Sequence, residues 1–123
     1  MMNDKELLEL AAKAAGLQLV WGDKFKLGDD EIDCTDIPYI RSGQPDEGDV
    51  FWNPLDDDGD ALRLAVQLHI NIEIWNVDTL IGANIYLMGR GHGYFQERYT
   101  TDPYAATRRA IVRAAAEIGK EKK

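Results

Sequence analysis

Residues 51–68 constrain the fold more than any other stretch of this chain. Phe51-Trp52-Asn53-Pro54-Leu55 runs into Asp56-Asp57-Asp58-Gly59-Asp60, and that cluster runs into Ala61-Leu62-Arg63-Leu64-Ala65-Val66-Gln67-Leu68. Asparagine before proline marks a turn or a helix entry. Carboxylates ahead of an amphipathic run can accept the unpaired amides of a first helical turn, and their charge complements the positive end of the helix dipole. The segment predicts a helix from about Leu55 or Asp57 to Leu68. It reports architecture and names no reaction.

Two further helices follow from the same logic. Asn3 or Asp4 can cap a helix from about Lys5 to Ala15, with Leu7, Leu8, Ala11, Ala14 and Ala15 as its apolar stripe and Gly16 as its stop. Asp102 caps the last helix, Pro103 takes its first position, and the helix is expected to reach about Ile118. Tyr104, Thr107, Ile111, Ala114 and Ile118 share one face, with Arg108, Arg109 and Arg113 turned towards water. Gly119 reads as its end, and Lys120, Lys122 and Lys123 as a frayed tail.

Extended pieces lie between the helices. Residues 17–21 read as a short strand. Ile70, Ile72 and Ile74 alternate with Asn71 and Glu73, the pattern of a half-buried strand. Residues 76–79 read as a turn, 81–88 as a second strand, Gly89-Arg90-Gly91-His92-Gly93 as a hairpin connection and 94–99 as a third strand, giving an antiparallel meander. Residues 22–50 are rich in Gly, Asp and Pro and read as a long acidic loop or irregular excursion, with a short strand near 31–34; loops of such length often carry function. One domain of 123 residues is expected.

The net charge is −8. Residues 22–60 hold thirteen acids against Lys24, Lys26 and Arg41, whereas residues 100–123 hold six bases against three acids. This balance disfavours direct nucleic-acid binding, which needs clustered cations. An acidic face can instead engage a basic surface on a partner, or serve only as solvated loop charge. The lone Cys34 fits a reducing compartment. No apolar run approaches the ~20 residues of a membrane span, and the first residues lack the pattern of a secretory signal. A location in the cytoplasm is expected.

Catalytic and metal-binding motifs are sparse. With Gly59 at the turn position, an EF-hand loop would begin at Pro54 and lack its final acid, so helix capping explains Asp56–Asp60 better than an ion held by Asp56, Asp58 and Asp60. Cys34, His69 and His92 are too widely spaced for a structural zinc site; His69 is suited to a favourable charge at a helix end. The glycine tract lacks a Walker lysine, although Arg90 and His92 could meet an anion there. Ser42 is the sole serine and sits in no nucleophile elbow. No cofactor and no metal are expected. Trp21, Tyr39, Phe51, Trp52 and Trp75 lie near element ends, where clustered aromatics anchor interfaces; Trp52 and Trp75 are equally placed to close the core.

The blocks Phe51-Trp52-Asn53-Pro54-Leu55, Asp60-Ala61-Leu62-Arg63-Leu64-Ala65-Val66 and Asp102-Pro103-Tyr104-Ala105-Ala106-Thr107-Arg108-Arg109-Ala110-Ile111-Val112-Arg113-Ala114-Ala115 resemble those of small bacteriophage and prophage proteins, namely NinX-like proteins and the phage ABA-sandwich domain. The resemblance spans most of the chain outside residues 22–50. It implies a phage origin, expression in the bacterial cytoplasm and helix–sheet–helix layering, and it carries no catalytic residues.

Together these readings predict an α+β fold, three helices on a small antiparallel sheet of three or four strands in an α/β/α sandwich-like arrangement. The expected function is non-enzymatic: a phage accessory protein that inhibits a host or anti-phage defence protein through an acidic surface mimicking nucleic acid. That surface would comprise Asp29, Asp30, Glu31, Asp33, Asp36, Asp46, Glu47, Asp49, Trp52, Asp56, Asp57 and Asp58. A nucleotide-sequestering oligomer using Arg90, His92, Arg108 and Arg109 is the alternative, and a metal-dependent hydrolase a second. An uncovered sheet edge would favour a homodimer.

Overall fold

The computed structural model describes residues 2–41, 48–74, 80–87, 91–98 and 102–122. The chain is α+β, with three helices and three small antiparallel sheets. Helix α1 spans Asp4–Ala14, α2 Asp58–Gln67 and α3 Pro103–Glu121. The strands are β1 (Leu19–Trp21), β2 (Lys24–Leu27), β3 (Asp30–Asp33), β4 (Pro38–Arg41), β5 (Asp49–Phe51), β6 (Asn71–Ile74), β7 (Leu80–Leu87) and β8 (Gly91–Arg98). Sheet orders are β1-β4-β5, β2-β3 and β6-β7-β8.

The helices begin and end where backbone chemistry directs. Asn3, Asp57 and Asp102 are the N-caps, each accepting from an amide of the first turn. Both α1 and α2 end in paired closing bonds. Leu17 N–H donates to Ala12 O and Gly16 N–H to Lys13 O; Ile70 N–H donates to Ala65 O and His69 N–H to Val66 O. The residue after each C-cap takes a left-handed conformation, with φ of 72° at Gly16 and 56° at His69. His69 therefore serves as a backbone corner, a role its charge does not announce.

Helix α3 is the middle layer. It packs on β7 and β8 with one side and on α1 with the other. Ala110, Ile111, Val112, Ala114, Ala115 and Ala116 are all buried in the core with Leu7, Leu8, Ala11, Leu64, Ile81 and Ala83. The expected single stripe is thus too narrow. Tyr104 lies outside it, 69% exposed, while Ala110 and Val112 are fully covered. Alanines let the two helices approach closely, and Gly119 is the extreme case. Rather than ending α3, it continues the helix against the backbone of Leu10, where a Cβ would overlap the Leu10 carbonyl. Lys122 does not fray either: its Nζ donates to Ala14 O at 2.8 Å and so caps the C-terminus of α1.

The meander β6-β7-β8 was expected and is observed, with Ile72 opposite Ala83 and Ile81 opposite Glu97. Its helix-facing side carries Ile72, Ile81, Ala83 and Phe95; Asn71, Glu73, Tyr94, Gln96 and Arg98 are exposed on the other. The expected turn at 76–79, Trp75, residues 88–90 and Tyr99 lie outside the described residues; of the connection expected at 89–93, Gly91, His92 and Gly93 instead extend β8, paired with Leu87, Tyr86 and Ile85.

Residues 22–50 differ from the loop expected of them. Where described, they hold β2, β3, β4 and the start of β5. β3 lies where a short strand near 31–34 was expected; β2, β4 and the start of β5 were not expected, because each run is only three or four residues long and is set among acids, glycines and prolines.

Candidate functional site

Strands β1 to β4 form one long irregular hairpin. Trp21 pairs with Pro38, Gly22 N–H donates to Ile37 O, and Cys34 N–H donates to Asp23 O. Beyond this point Lys24 pairs with Asp33, so two extra residues, Thr35 and Asp36, bulge from the returning strand. Such a bulge bends and twists a hairpin. The outer half, β2-β3, projects as an arm. Every residue of β2 and β3 is exposed except the half-buried Ile32.

The arm has two chemically distinct faces, because opposed residues of an antiparallel pair share a side. One face sets Lys24 opposite Asp33 and Lys26 opposite Glu31. The other sets Phe25 opposite Ile32 and Leu27 opposite Asp30, with Phe25 50% and Leu27 69% exposed. Asp29 occupies the tip. The candidate surface is therefore an acidic tip and edge beside a small apolar face.

The base of the arm is pinned. Asp33 Oδ1 accepts from the Thr35 amide at 2.9 Å and from the Thr35 hydroxyl at 2.6 Å. These bonds, with the hydroxyl first, hold the Asp33 carboxyl below the usual aspartate range. Lys5 of α1 contacts Asp36 at 3.2 Å, donates to Thr35 O at 3.2 Å and lies 4.8 Å from the Trp21 ring centre. Asp36 and Asp56 line one open hollow of about 670 Å³, with Trp21, Lys5 and Arg109 between them. The structure thus brings the arm's base and the α2 entry to a common surface.

The aspartates before α2 are committed to the helix entry. Asp57 Oδ2 accepts from the Asp60 amide at 2.8 Å. Asp60, only 7% exposed, accepts from Asn53 N–H at 3.0 Å and from Arg63 at 2.7 Å. Asn53 Oδ1 accepts from the Leu55 amide, and its carbonyl accepts from Asp56 and Asp57. Asp58 pairs with Arg108 at 2.6 Å. Asp56 remains exposed at the rim of the hollow. The Asn-Pro block and acidic cluster together form one device for starting α2.

Two expected site residues belong elsewhere. Trp52 is a core residue, 6% exposed and packed with the buried cluster, because it follows the last strand residue of β5 on the inward side. Arg108, expected to face water, is 15% exposed at its side chain and donates to Leu55 O as well as to Asp58. It staples α3 to the α2 entry. Arg109 turns the other way, to Asp4 at 3.1 Å and Glu97 at 3.8 Å, so the two arginines do not converge. Arg90, Asp46 and Glu47 lie outside the described residues, and the side chains of His92 and Asp49 are not described either.

Sequence reasoning missed Phe25 and Leu27. Their alternation with Lys24 and Lys26 is the signal that was available. Among the described residues, no cluster of three or more His, Cys, Asp or Glu side chains is arranged to hold a metal ion, and no helix is long and apolar enough to cross a membrane. Comparison with protein-family models, with curated proteins and with solved structures gives no match for the chain.

Proposed function

We propose that the protein acts by binding, as a phage accessory protein whose acidic arm occupies a basic surface on a host or anti-phage defence protein. The phage assignment rests on the sequence resemblance alone. The observation that carries the binding reading is the projection of β2-β3, exposed along almost its whole length with Asp29, Asp30 and Glu31 at its tip and edge. An isolated two-stranded hairpin is marginal in water, and a fold that holds one out with a pinned base presents it for contact. In the β2–β3 register Lys24 stands opposite Asp33 and Lys26 opposite Glu31, while Asp30 stands opposite Leu27 and Asp29 lies in the turn beyond. Rim charges of this kind steer encounter and set salt dependence, while Phe25 and Leu27 supply apolar contact once docked.

The experiment is retention of a partner from bacterial lysate on the immobilised protein at low and high salt, beside the variant Asp29→Asn/Asp30→Asn/Glu31→Gln. The proposal expects a specific partner that the wild type holds at low salt, releases at high salt, and yields to competing nucleic acid. The triple variant should lose it. Absence of any specific partner at low salt, or retention unaffected by the three neutralisations, refutes the proposal.

A further inference from the structure

Strand β6 is an edge strand: β7 lies on one side, and no described strand lies on the other. A groove of about 290 Å³ runs beside it on the helix-facing side. The groove is lined mainly by apolar groups, among them Leu62 of α2, Ile72 and Ile74 of β6, and Tyr104 and Ile111 of α3. Leu62, Val66, Ile74 and Tyr104 are 58%, 68%, 72% and 69% exposed. Leu62 and Val66 are one helical turn apart on α2, so they extend the groove's apolar rim. These four side chains present roughly 500 Å² of apolar surface, at the upper end for a monomer.

We propose that β6 pairs with β6 of a second copy about a two-fold axis, joining the meanders into one six-stranded sheet. The argument for that occupant is the sequence of β6 with the residue before it, Ile70-Asn71-Ile72-Glu73-Ile74, which reads nearly the same in both directions; the amide of Ile70 is spent on Ala65 O, so the new ladder rests on Asn71, Ile72 and Glu73. An axis perpendicular to the sheet must pass beside a residue, because opposed side chains share a face. With the axis at Ile72, Ile72 meets its equivalent, Ile70 meets Ile74, and Asn71 meets Glu73. With the axis at Glu73, two carboxylates oppose each other, which is destabilising. With the axis at Asn71, Glu73 would face His69, whose φ of 56° takes it out of the extended strand. Of these three registers, the Ile72 one alone matches apolar to apolar and avoids like charge. It also places both α2 helices on the same side of the joined sheet, so the Leu62–Val66 rims approach each other. Their burial would add apolar contact to the strand junction, towards the ~800 Å² per partner of a standard interface. The interface is isologous and closes, as a two-fold dimer must.

This surface is separate from the acidic arm, and its salt dependence runs the opposite way. Two copies of net charge −8 repel, so screening strengthens the dimer while it weakens capture of a basic partner.

The test is sedimentation of the full chain from about 1 μM to about 1 mM, the span over which weak homodimers titrate, at low and high salt. Ile74→Lys and Leu62→Glu alter exposed positions and leave the fold intact by circular dichroism. The expected result is a dimer that tightens with salt and whose Kd rises at least about tenfold in either variant. In a Cys34→Ala background, Ile72→Cys should crosslink to its equivalent under mild oxidation and Asn71→Cys should not. A monomer throughout the range, a dimer indifferent to both variants, or a dimer in which the Ile72→Cys variant fails to crosslink overturns the proposal.

Discussion

Gly119 offers the sharpest test of how α1 and α3 are held. An alanine in place of glycine inside a helix ordinarily stabilises by about 1 kcal/mol, because glycine loses more backbone freedom on folding. The structure reverses that sign. A Cβ at position 119 would sit 2.8 Å from the Leu10 carbonyl carbon and 3.2 Å from its Cα, with the carbonyl oxygen closer still. Those atoms are helix backbone, so no rotamer change relieves them. Either α1 and α3 move apart, opening gaps between Ala11, Ala12, Ala115 and Ala116, or the helix distorts. Overpacking of this kind costs about 1–3 kcal/mol, and separation of a tightly packed helix pair takes it to the upper end or beyond. Set against the propensity gain, the net loss for Gly119→Ala is about 1–2 kcal/mol. For a chain of this length that lowers Tm by roughly 4–8 °C. Urea and thermal unfolding followed by circular dichroism read it directly. A variant as stable as the wild type, or more stable, would refute the close approach and with it the layer order.

Other perturbations isolate other parts of the design. Asp60→Ala removes a buried acceptor from Asn53 N–H, while the exposed Arg63 keeps water and Asp57, and should cost about 1–3 kcal/mol in urea unfolding; a loss under about 0.5 kcal/mol would mean that the Asn53 amide finds water instead. His69→Gly relieves a left-handed corner that disfavours a Cβ, and should stabilise by about 0.5–1 kcal/mol; an unchanged midpoint would show that the corner carries no strain. Asp33 has its carboxyl depressed in the folded state, so its contribution is complete above the unfolded pKa and disappears as pH falls through the lower folded value. Thr35→Ala should move the Asp33 titration, read by carboxyl NMR, up towards the ordinary aspartate range, and no movement would exclude the hydroxyl as the cause.

Legibility in the sequence followed the strength of local signals. Asp102 was readable as an N-cap and Asn3 as one of two candidates, because each is a short acceptor directly before an amphipathic run; the acidic cluster marked the start of α2, but with several carboxylates in a row the expected start at Leu55 or Asp57 fell short of Asp58, which Asp57 caps. The meander was readable because Ile70, Ile72 and Ile74 alternate with polar residues. The interior of α3 was not: alanine contributes little to an amphipathic pattern, and a helix covered on two sides shows no single stripe. The arm was legible only in part: a strand near 31–34 was expected and β3 lies there, whereas the four-residue alternation Lys24-Phe25-Lys26-Leu27 is too short to stand out among acids and glycines, and only the register reveals that Phe25 and Ile32 share a face. Arg108 misled because charge on a helix normally marks its wet side. Here the charge is met by Asp58 and the Leu55 carbonyl across the helix junction.

The two halves of the charge distribution then have different jobs. The bases of α3 are spent inside the fold: Arg108 on Asp58, Arg109 on Asp4, Arg113 on Glu97 at 2.8 Å and beside the Phe95 ring, and Lys122 on the α1 carbonyls. Arg108 ties α3 to the start of α2, Arg109 and Lys122 tie it to α1, and Arg113 ties it to β8, which suits the middle layer. Among the described residues the acids of the arm have no comparable set of partners, because Lys24 and Lys26 are the sole cations of β2 and Lys5 is seen only at the arm's base. Removing the bases should therefore loosen the fold, whereas neutralising Asp29, Asp30 and Glu31 should leave unfolding nearly unchanged and alter binding alone. A large stability loss in the triple arm variant would show that its acids hold the structure together, and the case for a presented surface would fail.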